Sequence, residues 1–254
     1  MLDAVQEARP SSSVDFAINT HHHGDHTFGN SLLPASTCVI GHERMRVGFL
    51  EDRTLENFPA FWSPVPDFGV LTRRPPNLTI TSSATIHLAE RRVDILHPGY
   101  TAHTEGDVVV WVPDTRVLFA GDLLFPGHTP MIMAGTPSGA IKSLAWMGSF
   151  EPEVVVPGHG EVIFGAALAD VLAEHEEYYR FVLREARRGI EQRLTPLEVA
   201  FSTDLSSFAH LLDPERFVLN VHSAYAELGG PSVHRHGALA DVVEWTGGPI
   251  PTQA

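Results

Sequence analysis

The stretch THHHGDHTFGN, Thr20–Asn30, places His21, His23, Asp25 and His26 as four candidate ligands within six residues. In an extended segment, alternate side chains share a face. His21 and His23 would then point one way and His22 the other. Gly24 lets the chain turn, which brings Asp25 and His26 onto a neighbouring position. One short segment could therefore feed two metal ions a few ångströms apart. Imidazole and carboxylate suit zinc, with iron or manganese as alternatives. A purification-tag remnant fits poorly, because the run of histidines is short, internal and preceded by a strand-like stretch. A surface histidine cluster is the competing reading.

Three further positions have the same character. His103 stands in AHTEGD, Asp122 in FAGD and His159 in PGHGE. Each lies near glycine or proline, at a tight turn after strand-like residues. A lone histidine is more often structural, but four separated segments with one strand–turn–ligand layout point to a shared site.

The elements that must carry these residues are legible in the hydrophobic pattern. Val14–Asn19 reads as a short buried strand delivering the histidine stretch. Leu2–Arg9 reads as a helical turn or two, Cys38–Gly41 as a strand and His42–Phe49 as a helix. Leu78–Leu88 and Arg92–Leu96 read as a hairpin joined at Ala89–Arg91. Val108–Val112, Val117–Ala120 and Val154–Val156 read as buried strands. From about Gly165 the pattern turns helical, with Val171, Val182, Ala186 and Ile190 at helical spacing. Thr195–Pro196 and Asp213–Pro214 read as helix starts with proline in the first turn, and Gly229–Gly230 as a stop. Residues 246–254 read as a loose tail. The segment 52–76, with Phe58, Phe61, Trp62 and Phe68 among several prolines, reads as a long irregular loop of the kind that forms lids or binding loops.

Composition narrows the class. The chain has 254 residues, is 43% hydrophobic and carries a formal net charge of −14. That size and apolar content can bury a sizeable core. The acidic balance argues against nucleic-acid binding, which needs clustered Lys and Arg. The single cysteine, Cys38, permits no intramolecular disulfide and fits a reducing cytoplasm. The first residues show no signal peptide and no run is apolar enough for a membrane span. A cytoplasmic protein acting on a small molecule is expected.

Taken together, the His-X-His-X-Asp-His segment and the three later ligands in order resemble the metallo-β-lactamase superfamily. The resemblance runs from Asn19 to Gly160. It implies an α/β fold, the αββα sandwich, over residues 1–164, with residues 165–254 as a helical C-terminal extension packed on that core. It implies one metal ion on His21, His23 and His103, and a second on Asp25, His26 and His159, with Asp122 bridging. His22 is then not a ligand. The implied chemistry is hydrolytic: a metal-bridging hydroxide attacks an ester, thioester or lactone carbonyl, and Asp25 orients it and handles a proton. Aspartate at position 122 resembles glyoxalase II-like thioesterases and lactonases, whereas antibiotic-hydrolysing members often carry cysteine there. Oxygen-reducing relatives carry glutamate at the position of His23. Persulfide dioxygenase-like members with a single iron share much of the motif. The stretch after Asp122, LLFPGHTPMIMAG, makes Met131 and His128 candidate substrate contacts, with Phe61 and Trp62 from the irregular loop. That stretch and LNVHSAYAEL also resemble cyclase-like members linked to aromatic polyketides, the alternative reading.

In one respect the chain departs from the family pattern. Members usually carry several strands and an Asp-Thr-Gly-like turn before the histidine motif, and here only Met1–Thr20 precede it. The first sheet is expected to lack strands, through a misassigned start or a truncated gene. A non-catalytic remnant is the reading this departure would favour.

Overall fold

The computed structural model describes residues 13–54, 61–65, 67–231 and 235–251, together with Glu7. The expected helix over Leu2–Arg9 lies outside these residues except at Glu7, which is helical, and Phe58 lies outside them too.

Strand β1 (Phe16–Ile18) leads into a one-turn helix α1 (Gly24–Thr27) that carries Asp25 and His26. Strand β2 (Cys38–His42) runs directly into helix α2 (Glu43–Glu51). His42 caps that helix: its Nδ1 accepts from the Arg44 N–H at 3.2 Å. The irregular segment beyond it contains only a two-residue strand, β3 (Trp62–Ser63), among its described residues.

The apolar run expected as one strand over Leu78–Leu88 is two strands in different sheets. Strand β4 (Leu78–Ile80) pairs in parallel with β2. Strand β5 (Ser83–Leu88) pairs antiparallel with β6 (Arg91–Leu96). The chain breaks at Thr81–Ser82, where His42 Nε2 donates to the Thr81 carbonyl at 3.0 Å and the His97 N–H to the Ser82 carbonyl at 2.7 Å. The turn after β5 is tighter than expected, because Leu88 faces Arg91 directly and Ala89 takes a positive φ of 54°.

Strands β7 (Val109–Val112) and β8 (Val117–Gly121) continue the second sheet. Helix α3 (Pro137–Gly148) then crosses over to β9 (Val154–Pro157), and β10 (Ile163–Phe164) closes the edge. The six-stranded order is β10-β9-β8-β7-β6-β5, and the first sheet is β1-β2-β4. Ile18, Ile40 and Ile80 from the first sheet pack against Ile95 from the second and Val108. The alternation of inward apolar side chains along each strand thus builds the interface between the sheets.

The described residues beyond β10 are mainly helical: α4 (Ala167–Gln192), α5 (Pro196–Ser202), α6 (Arg216–Glu227) and α7 (Arg235–Thr246). Val182, Val199, Phe217 and Leu239 from these helices share one buried cluster with Val109, Leu118, Met147 and Val155. Thr195 forms the expected cap, as a capping box with Glu198. Asp213 does not cap α6. It takes a left-handed φ of 57° and its carboxylate instead pairs with Arg216 at 2.7 Å. The tail is not loose at Ile250–Pro251, which forms strand β11 in parallel with β3. Among the described residues, no helix is long and apolar enough to cross a membrane.

Candidate metal centre

The histidine stretch leaves β1 at Asn19 and is held at both ends. Asn19, 5% exposed, donates from Nδ2 to the His26 carbonyl at 3.0 Å, closing the loop on itself. Asn19 and Asn30 exchange amide hydrogen bonds at 2.8 and 3.1 Å, and Asn30 reaches on to the Arg74 carbonyl. The Val108 N–H donates to the Thr20 carbonyl at 2.8 Å, tying the stretch to the chain entering the second sheet. A frame of buried, satisfied amides therefore sets the loop before any ligand is added.

Within this frame the side chains sort as the alternation requires. His21 Nε2 lies 3.1 Å from His23 Nδ1, and His103 Nε2 lies 3.0 Å from the same nitrogen. The His22 ring turns the other way, against α2: a Cβ added at Gly48 would stand 3.0 Å from it. Asp25 Oδ2 is 3.1 Å from both His26 Nε2 and His159 Nε2.

Asp122 sits between the two groups. Its Oδ2 is 3.7 Å from His21 Nε2, 3.4 Å from His103 Nε2 and 3.5 Å from His159 Nε2, and its Oδ1 is 3.1 Å from His26 Nε2. Adjacent parallel strands explain the convergence. Gly121 at the end of β8 is in register with Pro157 at the end of β9, so Asp122 and His159 emerge at the same end of the sheet. Gly158 has no room for a side chain, because a Cβ there would come within 1.9 Å of Asp122 Oδ1.

These spacings suit cations. Nitrogen and oxygen ligands held at about 2.0–2.1 Å in a tetrahedron lie about 3.3 Å apart. Two groups, each with its ligand atoms within 4.8 Å of one another, share Asp122: His21, His23, His103 and Asp122, and Asp25, His26, Asp122 and His159. His26 Nε2 and Asp122 Oδ1 are buried and close, yet neither has an aligned hydrogen-bond partner. A shared cation would satisfy both. The outer ring nitrogens fix the inner ones. His103 Nδ1 lies 2.7 Å from the Met131 carbonyl, so it carries the hydrogen and leaves Nε2 a bare lone pair facing the group.

The electrostatics divide the same way. Burial, aided by the neighbouring histidines and opposed by Asp122, holds His21 and His23 well below the usual imidazole range. Burial works against charge on His26 too, but the Asp122 and Asp25 carboxylates outweigh it and hold this ring up at about 10. The same two carboxylates hold His159 at about 9. Burial pushes Asp25 up, and His159 and His26 overcome it to keep the carboxyl below its usual range. His21 and His23 thus offer neutral lone pairs, and the other group is an anionic cradle for positive charge. Behind them Asp107, pushed up to about 6 by burial, accepts from the Thr104 N–H and hydroxyl and braces the turn carrying His103.

The structure therefore brings His21, His23, Asp25, His26, His103, Asp122 and His159 together. The substrate candidates are placed differently. Met131 is tied to the centre through its carbonyl. Phe61 and Trp62 stack on each other with ring centroids 4.1 Å apart, and the Phe61 carbonyl accepts from the Ile250 N–H. His128 Nδ1 is 3.1 Å from its neighbour's carbonyl, Pro126 O, and its backbone bridges to Leu212.

The sequence reading missed the supports. Asn19 and Asn30 look like ordinary loop residues. His175, 1% exposed on α4, looks like one more helical histidine, yet its Nε2 accepts from the Phe125 N–H at 2.9 Å. Phe125 in turn stacks on His159, with centroids 5.6 Å apart and rings 6° from parallel.

Comparison with known proteins agrees with this architecture. A family model described as the metallo-beta-lactamase superfamily matches residues 2–159. The hydroxyacylglutathione hydrolase of Methylococcus capsulatus is 30% identical over 140 residues, which cover 55% of this chain and 45% of that protein. The hydroxyacylglutathione hydrolase of Brucella anthropi is 29% identical over 158 residues, 60% of this chain and 47% of that protein. The chain thus spans about half the length of the curated relatives it matches. Among solved structures, the stereoselective inverting sec-alkylsulfatase Pisa1 from Pseudomonas sp. aligns with a TM-score of 0.67 at 16% identity, over 90% of this chain and 43% of that one. A metallo-beta-lactamase from Pontibacter korlensis aligns with a TM-score of 0.50 at 18% identity, over 70% and 75% of the two chains. At such identities the likeness speaks for the fold alone. The family model covers more than half of the sequence, and the chain belongs to the metallo-beta-lactamase superfamily.

Proposed function

We propose that this chain is a metal-dependent hydrolase of esters, thioesters or lactones, working with two zinc ions. The observation that carries the reading is the pair of ligand groups sharing one buried carboxylate, Asp122. His21, His23 and His103 would hold one ion, Asp25, His26 and His159 the other, with Asp122 between them. When bound, such ions supply Lewis acidity and lower the pKa of water from about 15.7 to about 7.

The chain's own groups have separable tasks. Asp122, with 1% of its side chain exposed, is sealed from solvent protons and serves as a fixed negative charge. Asp25, with 55% of its side chain exposed, is the acid–base group, because it can exchange a proton with water or a leaving group. The Met131 carbonyl keeps the His103 tautomer. Met131, Phe61, Trp62 and His128 are proposed as substrate contacts.

Two matched relatives are hydroxyacylglutathione hydrolases, which supports a thioester among the substrates. The only cysteine, Cys38, stands in β2, so position 122 keeps its aspartate character. Residues 165–254 are proposed as a helical extension on a core of residues 1–164, and the lone cysteine supports a cytoplasmic location.

The test is a panel of thioester, lactone and β-lactam substrates, run on zinc-loaded and chelator-treated protein. Turnover of at least one ester-type substrate, lost on chelation and restored by zinc, is the expected result. Inactivity on all of them at full metal occupancy would overturn the proposal.

A further inference from the structure

Helix α6 grips the segment Thr129–Ile132 in a way that packing alone does not require. Arg216, Asn220 and Ser223 stand at i, i+4 and i+7, on one helical face. Arg216 Nη1 donates to the Thr129 carbonyl at 3.1 Å. Asn220, fully buried, donates from Nδ2 to the Pro130 carbonyl at 2.7 Å, and its Oδ1 accepts the Ile132 N–H at 2.7 Å. Its Nδ2 also donates to Tyr178 Oη at 2.8 Å. Ser223 Oγ donates to the Ile132 carbonyl at 2.8 Å. One helix face thus holds the carbonyls of residues 129, 130 and 132. The carbonyl between them, Met131 O, accepts from His103 Nδ1 at 2.7 Å.

We infer that Asn220 is a positioning residue for the metal ligand His103, acting through the Met131 carbonyl that it brackets on both sides. The inference rests on the metal-dependent reading of the centre. Its physical basis is direct. A ligand histidine is aimed by the acceptor on its other nitrogen, and loss of such an outer partner typically weakens metal binding about 10–100-fold. Pro130 has no N–H to anchor the segment, and the Asn220 side chain of α6 holds the peptide groups on both sides of Met131. Without the Asn220 amide, the Ile132 N–H and the Pro130 carbonyl are buried and unpaired, and the segment must shift to find partners. The helical region thereby reaches the centre without contributing a ligand.

The experiment titrates zinc into metal-free protein against a chromophoric chelator. In parallel, cobalt(II) is titrated and read by visible absorption. Asn220→Ala is compared with Val221→Ala, a packing control at a fully buried position of the same helix. Both variants are expected to lower the Tm of the metal-free protein. Only Asn220→Ala is expected to weaken zinc binding by about 10–100-fold and to change the cobalt spectrum. Wild-type affinity and spectrum in Asn220→Ala, or equal weakening in Val221→Ala, would overturn the inference. If Asn220→Ala does not fold, Ser223→Ala removes one bond of the set. A smaller loss of affinity is then expected, and unchanged affinity overturns the inference. Absence of zinc binding by the wild-type protein overturns the metal reading itself, a separate outcome visible before any variant is compared.

Discussion

His21, His23 and His103 are 1%, 5% and 2% exposed, whereas the other group shows solvent 55% of the Asp25 side chain and 33% of that of His159. The two groups share a carboxylate and similar spacings but differ in contact with water. The buried group is closed to solvent, and its His21 and His103 rings are oriented from behind by the Thr20 hydroxyl and the Met131 carbonyl. The open group combines carboxylates with histidines that readily take positive charge. The site thus has one side closed to solvent and one side open to it.

The largest expected effect comes from removing what both groups share. Asp122→Ala should abolish zinc binding at both and lower turnover by on the order of 10³-fold or more, since all the metal chemistry depends on it. Gly158→Ala should act in the same direction by pushing the Asp122 carboxylate aside. Zinc stoichiometry and kcat report both.

A second pair of variants breaks the symmetry. His23→Ala should lose the buried ion, and His159→Ala the open one. If the groups differ as described, His159→Ala keeps close to one zinc per chain, while His23→Ala releases its zinc more readily to a chelator. Equal loss from both variants would show that the two groups are one cooperative unit.

The third effect is on acid stability. Burial holds His175 down at about 4, below the ordinary imidazole value. The unfolded chain therefore takes up a proton near pH 6.5 that the folded chain refuses until about pH 4. Stability is complete above about pH 6.5 and falls as the pH drops toward 4, by on the order of 3 kcal/mol for this group. Denaturant unfolding of metal-free protein at a series of pH values should give a shallower slope for His175→Gln than for wild type.

The smallest effect sharpens the sorting of the histidine run. His22→Ala should retain most of the bound zinc, because its ring lies against Gly48 rather than toward the ions. Loss of an ion from this variant would contradict that placement.

The ligands were legible because four separated segments repeat one strand–turn–ligand layout and because alternation in an extended segment separates His22 from its neighbours. The fold class followed from the family resemblance that these motifs carry. The split of Leu78–Leu88 was not legible, since both halves alternate in the same phase and only their partners differ. Asp213 resembled a cap because local chemistry allows it, and the backbone chose a left-handed turn with an Arg216 pair instead. Ile250 had no local sign of pairing, because its partner in β3 is remote in sequence. Asn19, Asn220 and His175 were hidden for a related reason. Each bonds to backbone outside its own strand or helix, and a backbone partner leaves no trace in residue types.

The parallel register of β8 and β9 has a consequence in time. Parallel neighbours cannot be joined by a tight turn, so the chain between them must first be laid down as a crossover, here through α3. Closing such a long loop costs more entropy, and takes longer, than zipping the β5–β6 and β7–β8 hairpins. The ledge bearing Asp122 and His159 is therefore expected to close late in folding.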